Sequence, residues 1–173
     1  VPGYYKNPLA TKSSFTSDNF LRTGDIGSIS RAGLISITDR IKEMIKVKGI
    51  QVAPAELEDL LLGHPLVEDC AVIGIQDGYS GERPFGFVVL KCKIGDEIRD
   101  RKGRGERNEE GAEREKMREE LLQYVRVKKI RTKWLAGIQF LDVIPKSTSG
   151  KILRRVLRDR IKKGRTKITR AKL

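Results

Sequence analysis

Two apolar runs constrain this chain more than any other feature: VEDCAVIGI at 67–75 and FGFVVLKC at 85–92. In each run apolar side chains fall on consecutive positions instead of every second one. Such a strand needs cover on both faces. The runs therefore read as buried strands, and the glycine-rich stretch QDGYSGERP between them as the loop where they turn. A helix precedes the pair. In PAELEDLLLG, Pro54 suits the first turn, and Glu56, Glu58 and Asp59 lie toward the positive end. Leu57, Leu60 and Leu61 share a core-facing side, and Gly63 stops the helix.

Shorter elements lie upstream. The opening 20 residues are polar, with Pro and Gly punctuation, and read as loop with one short helix around NPLATKSSF. Ile26 and then Leu34, Ile35 and Ile37 flank the turn signal Arg31-Ala32-Gly33, which predicts a β-hairpin. In IKEMIKVKGIQVAP, Gly49 separates two β-prone pieces. The chain begins without an initiator Met, so the expectation is a piece of something longer.

Downstream, residues 95–116 carry charges of both signs, no aromatics and one large aliphatic. They predict a flexible surface insertion, helical at its end. REKMREELLQYV follows as a helix with Met117, Leu121, Leu122 and Val125 on one side. WLAGIQFLDVIP reads as a strand, and SGKILRRVLRDRIKK as a final helix with Ile152, Val156 and Leu157 on one face. Helices and strands mix without a βαβ rhythm, which predicts an α+β fold with a short mixed sheet packed by helices. At 173 residues, 38% of them apolar, the chain suits one ordinary domain or a small domain plus a remnant of another.

Several chemistries are disfavoured. Cys70 and Cys92 sit in apolar stretches, form no CxxC pair and read as buried, reduced thiols. One histidine and no His/Cys cluster argue against zinc. His64, before Pro65, reads as structural, and Trp134 as core or rim. No apolar run approaches the roughly 20 residues of a membrane span. The net charge is +13, and residues 151–173 hold eleven basic residues against one acid, Asp159. A basic terminus can bind nucleic acid, an anionic membrane or a phosphorylated metabolite. Aromatic interleaving and helix-turn-helix or zinc patterns are missing, which disfavours a nucleic-acid module.

The segment PKSTSGKILRR, at 145–155, places one lysine behind a Ser-Thr-Ser-Gly run. A phosphate loop needs G-x-x-x-x-G-K-[ST]. Pro145 stands where the first glycine belongs, and Ile152 follows Lys151, so the motif fails at both ends. On the Gly-Lys pair alone, a solvated lysine at a helix start is the simpler reading.

That segment is the last of four. GYYKNPLAT, RTGDIG, DRIKEMIKVKGIQVAPAELE and PKSTSGKILRR occur in this order. Together they resemble the last third of the adenylate-forming enzymes: acyl- and aryl-CoA synthetases, luciferases and peptide-synthetase adenylation domains. The KGIQVAPAE wording is most similar to the 4-coumarate–CoA ligase and luciferase branch. The resemblance covers the chain except residues 95–116 and the last ten.

The resemblance implies a division into residues 1–41, the end of a large AMP-binding domain; 42–163, a small mobile C-terminal lobe; and 164–173, a basic tail. It implies ATP and CoA as substrates beside a carboxylic acid, with Mg²⁺ whose ligands lie outside this chain. Lys151 is then the catalytic lysine of adenylation. Asp25 accepts from the ribose hydroxyls, and Arg40 contacts the nucleotide; on their residues alone these read as an Asx-turn and a surface charge paired with Asp39. Lys42 marks the bend of the mobile lobe. Lys46 and Gln51 touch the adenylate in a second pose, and Gly49 leaves room for the pantetheine arm of CoA; a plain basic hairpin is the alternative. Ser147, Thr148 and Ser149 are expected to cap the final helix.

The same resemblance leaves the isolated chain without a Ser/Thr/Gly-rich phosphate loop, acyl pocket or adenine pocket. It is thus expected to be inactive without the missing N-terminal domain. A non-catalytic remnant is the alternative. Ala171-Lys172-Leu173 resembles the Ser-Lys-Leu address read by the peroxisomal import receptor. The expected location is the peroxisome, with cytoplasm as the alternative.

Overall fold

The computed structural model describes residues 3–91 and 107–170, with side chains omitted at 107–110 and 163–170. Cys92, most of the expected insertion and Ala171-Lys172-Leu173 lie outside the described residues. The chain divides into two compact units, Val1–Lys42 and Glu43–Leu173.

In the first unit, α1 (Pro8–Ser14) starts on Asn7, whose side chain accepts from the Ala10 N–H at 3.0 Å. Asparagine at this position satisfies one of the unpaired N–H groups of a first turn. The predicted hairpin forms from β1 (Asp25–Ile29) and β2 (Ile35–Arg40), antiparallel. Gly33 takes the positive φ, +78°, that its turn requires.

The second unit is α+β. Strands β3 (Ile45–Val47), β4 (Ile50–Val52), β5 (Val67–Asp77), β6 (Gly81–Leu90) and β7 (Ile138–Phe140) form a mixed sheet in the order β4-β3-β6-β5. The short β7 pairs with β6 in parallel, and the other pairings are antiparallel. With one margin of β6 taken by β5, β3 and β7 share the other.

The two apolar runs are the central hairpin, but the expected loop shrinks. Asp77 pairs with Gly81, so Gln76, Glu82, Arg83 and Pro84 are strand. The turn is held by Asp77, whose carboxylate accepts from the N–H groups of Tyr79 and Ser80. Local composition signals the turn, while the long β5–β6 ladder extends the strands into it.

Both sheet faces are covered, as the apolar runs demand. Helices α2 (Pro54–Leu62) and α3 (Arg107–Lys128) pack Leu57, Leu61, Leu121, Leu122 and Val125 against Val52, Val72 and Val88. The other cluster gathers Ala71, Ile73, Phe87, Ile144 and Leu157, the last from α4 (Arg154–Arg170). Fully buried side chains of this size each contribute about 1.5–3 kcal/mol. His64 is structural as expected. It is 6% exposed, its Nδ1 accepts from the Leu66 N–H, and its ring meets Tyr124 edge-on.

Three expectations are corrected. The final helix begins at Arg154, not at Ser149, because Lys146 and Ile152 form a β-bridge that holds 146–152 as a turn. Val156 is 51% exposed, so it leaves the apolar face to Leu157 and Ile161. The strand read in WLAGIQFLDVIP narrows to Ile138–Phe140, although the Ala136 N–H and the Gly137 carbonyl also bond to β6, through the Pro84 carbonyl and the Gly86 N–H.

Cys70 is buried. Burial, joined by the nearby carboxylates of Glu58, Asp69 and Asp59, pushes its thiol from the usual 9.0 to about 12. At about pH 8 that lowers the thiolate fraction roughly a thousandfold. In a Cys92→Ser background, Cys70 is expected to react with a thiol reagent only after denaturation. Fast labelling of the folded chain would contradict this.

Candidate functional site

The sequence-derived residues fall into three local groups. In the first unit, Asp25 and Arg40 are cross-strand partners, and Asp25 Oδ1 lies 3.3 Å from Arg40 Nε. Asp39 takes the Arg40 backbone N–H instead, at 2.7 Å. Asp25 is thus bound to one cation, yet an ionised carboxylate has about four acceptor positions, which leaves capacity for hydroxyl donors. Its own N–H is taken by Thr23 Oγ1 at 3.3 Å.

The second group is the β3–β4 hairpin. Lys48 and Gly49 have φ of +50° and +80° and close it as a two-residue turn. Positive φ at both central residues matches the twist of the flanking strands. Ile45, Val47 and Val52 point into the core, which turns Lys46 and Gln51, directly opposite each other, outward. The Lys46 N–H donates to Glu82 Oε2 at 2.9 Å, which ties the hairpin to β6. A Cβ built on Gly49 would meet nothing within 4 Å, so the space beside this glycine is open.

The third group is the 145–152 turn. Ser147 and Lys151 are tied twice: the Ser147 N–H donates to the Lys151 carbonyl at 2.8 Å, and the Lys151 N–H donates to Ser147 Oγ at 3.1 Å. The expected helix-capping role of Ser147 is therefore replaced by turn closure. Gly150, at φ +79°, makes the bend. Lys146 Nζ reaches Asp69 Oδ2 at 2.6 Å and anchors the turn to β5. Every one of these ties uses backbone or another side chain. The Lys151 side chain is left exposed, and among the described residues no carboxylate pairs with its ammonium.

Sequence reasoning missed a fourth feature. A cleft of about 360 Å³ is lined by Val47 and Lys48 from the β3–β4 turn, by Asp77–Pro84 residues including Tyr79, Ser80 and Arg83, and by Arg131, Thr132 and Trp134. Three cations converge here. Lys48 Nζ lies 4.1 Å from the Tyr79 ring centroid. Thr132 Oγ1 is buried without a hydrogen-bond partner among the described residues. The 129–133 segment is fixed by Lys129 and Lys133, which both bind Glu56 in the first turn of α2. Burial alone would raise the Glu56 acid, but the two ammonium groups prevail and hold it below its ordinary range. Only the local density of basic residues in VRVKKIRTK hinted at this wall.

The fold is that of the C-terminal domain of adenylate-forming acyl- and aryl-CoA ligases. The solved structure of ATP-bound MatB from Rhodopseudomonas palustris matches with a TM-score of 0.73 and 28% identity, over 91% of this chain and 27% of that one. That of o-succinylbenzoate CoA synthetase (MenE) from Bacillus subtilis, in complex with the acyl-adenylate intermediate OSB-AMP, matches with a TM-score of 0.68 and 28% identity, over 90% and 28%.

The family described as AMP-binding enzyme C-terminal domain matches residues 56–151, and the chain belongs to it. The 4-coumarate–CoA ligase-like 1 protein of Arabidopsis thaliana is 43% identical over 161 residues, 93% of this chain and 26% of that protein. The chain thus spans about a quarter of the length of the curated relatives it matches.

Proposed function

We propose that this chain serves as the C-terminal lobe of an acyl- or aryl-CoA synthetase, which joins a carboxylic acid to AMP and passes the acyl group to CoA. The observation that carries this is Lys151: an exposed ammonium, unpaired among the described residues, on a turn tied at both ends. In the first step a carboxylate oxygen attacks the α-phosphorus of ATP and pyrophosphate leaves. Anion meets anion, so a fixed cation at the reacting oxygens lowers the barrier. A compact ammonium on a long stem suits that task. Asp25 takes the ribose hydroxyls, with Arg40 beside it.

In the second step the CoA thiol attacks the acyl carbonyl and AMP leaves. Lys46 and Gln51 face outward to meet the adenylate, and the open space at Gly49 admits the pantetheine arm. The neighbouring cleft fits the nucleotide end of CoA. Lys48, Arg83 and Arg131 answer its phosphates, Tyr79 and Trp134 offer ring faces to adenine, and Thr132 Oγ1 offers an unused hydroxyl. Among the described residues no group of three His, Cys, Asp or Glu side chains could hold a metal ion. Ala171-Lys172-Leu173 adds a peroxisomal location to this proposal.

The test is acid-dependent ATP–pyrophosphate exchange and thioester formation by the complete enzyme; neither activity with any carboxylic acid would favour a non-catalytic remnant. The cleft carries its own prediction. Dephospho-CoA is expected to show a KM about tenfold above that of CoA. Arg131→Ala is expected to erase the difference by raising the KM for CoA alone, as loss of a charge-assisted phosphate contact should. Equal KM values for the two thiols in the unaltered enzyme would exclude the cleft as the phosphate site.

A further inference from the structure

Arg154 is the first residue of α4, three positions after Lys151, and its guanidinium is almost used up. Nε binds the Glu43 carboxylate, Nη1 binds Glu58 Oε1 and the Val72 carbonyl, and Nη2 donates to Glu58 Oε2 at 3.1 Å. The side chain is 11% exposed, as is that of Glu58, while Glu43 is at 23%. Glu58 also accepts from the Val72 N–H at 2.7 Å. Burial alone would favour loss of the guanidinium proton, but the hydrogen bonds and charges of Glu58 and then Glu43 outweigh it and hold the proton more firmly than usual. The group is therefore a permanent cation.

The two carboxylates have different surroundings. Glu58 is embedded between α2 and β5, and its loss would leave a buried cation and an unpaired strand N–H. Glu43 stands at the very start of the second unit, immediately after Lys42. It adds little to the core. What it does is tie the first residue beyond the unit boundary to the base of the turn that carries Lys151.

The lobe's two working turns are held by separate sets of contacts. The β3–β4 hairpin rests on Ile45, Val47 and Val52 in the core and on Glu82. The 145–152 turn rests on Lys146–Asp69 at its start and on Arg154 at its end.

We propose that the Glu43–Arg154 ion pair is a positioning device for adenylation: it fixes the Lys151 turn relative to the boundary residue, so that movement about Lys42 delivers the lysine in a defined place. This rests on the proposed role of Lys151. It makes no demand on the β3–β4 hairpin, so the thioester step should be indifferent to it. A misplacement of about 1 Å at a reacting group can cost around a hundredfold in rate, whereas Glu43→Gln keeps Arg154 paired with Glu58.

The experiment uses the complete enzyme and measures the two half-reactions apart, with Glu43→Gln, Arg154→Lys and Lys151→Ala side by side. Glu43→Gln is expected to lower kcat of adenylation by about tenfold to a hundredfold with the KM for ATP unchanged, and to leave transfer from supplied acyl-AMP within about twofold. Glu43→Asp, which keeps the charge on a shorter stem, should recover part of the loss. Arg154→Lys should show the same bias toward adenylation, on top of a lower melting temperature. Equal loss in both half-reactions, or none in either, would overturn the positioning role while leaving Lys151 untouched. If instead Lys151→Ala fails to separate the half-reactions, the proposed function itself falls.

Discussion

Lys151→Ala in the complete enzyme is expected to reduce adenylate formation by about a hundredfold to a thousandfold, the scale on which losing one preorganised transition-state contact acts. Thioester formation from supplied acyl-AMP should stay near normal. The asymmetry follows from geometry. The turn is built from Ser147, Gly150, Lys146 and Asp69, not from the Lys151 side chain, so its removal leaves the backbone in place. The ammonium is exposed and unpaired among the described residues, so no buried partner there is orphaned and the melting temperature should barely move. Acid-dependent pyrophosphate exchange reads the first half-reaction, and thioester release from synthetic acyl-AMP reads the second. Comparable damage to both would mean that the lysine holds the lobe together instead of serving one step.

Lys42→Pro is expected to produce the opposite bias. The two compact units divide directly after Lys42, which is exposed and lies in a turn. Proline locks its own φ near −65° and narrows the choices of Ile41 before it. If the lobe must rotate here between steps, a stiffened pivot should slow transfer about tenfold to a hundredfold and spare adenylation to within about threefold. Stopped-flow measurement of each half-reaction checks it; transfer at the unaltered rate would remove Lys42 from any pivoting role.

What could be read from the sequence is what depends on neighbours a few residues away. The Lys48-Gly49 turn, the Gly33 turn, the Asn7-started helix and the α2 leucines each announce themselves through local chemistry. The paired apolar strands also come through, since continuous apolarity demands cover whatever the partner is. The errors come from distant contacts. SGKILRR has the composition of a helix start, but Lys146 bridges Ile152 and delays the helix to Arg154. Glu58 reads as a charge favouring the positive end of α2. It is in fact 8% exposed because a guanidinium 96 residues away binds it. Asp25 and Arg40 were each expected, from the family resemblance, to contact a nucleotide; that they hold each other required the strand register.

The composite wall of the cleft bears on engineering. Its cations arrive from three stretches of chain, around positions 48, 83 and 131, and no single stretch supplies two of them. On the proposed role of the cleft in CoA binding, recombining relatives to change thiol preference would require transplanting all three together. A crossover placed between β6 and α3 would pair one parent's floor with the other parent's rim.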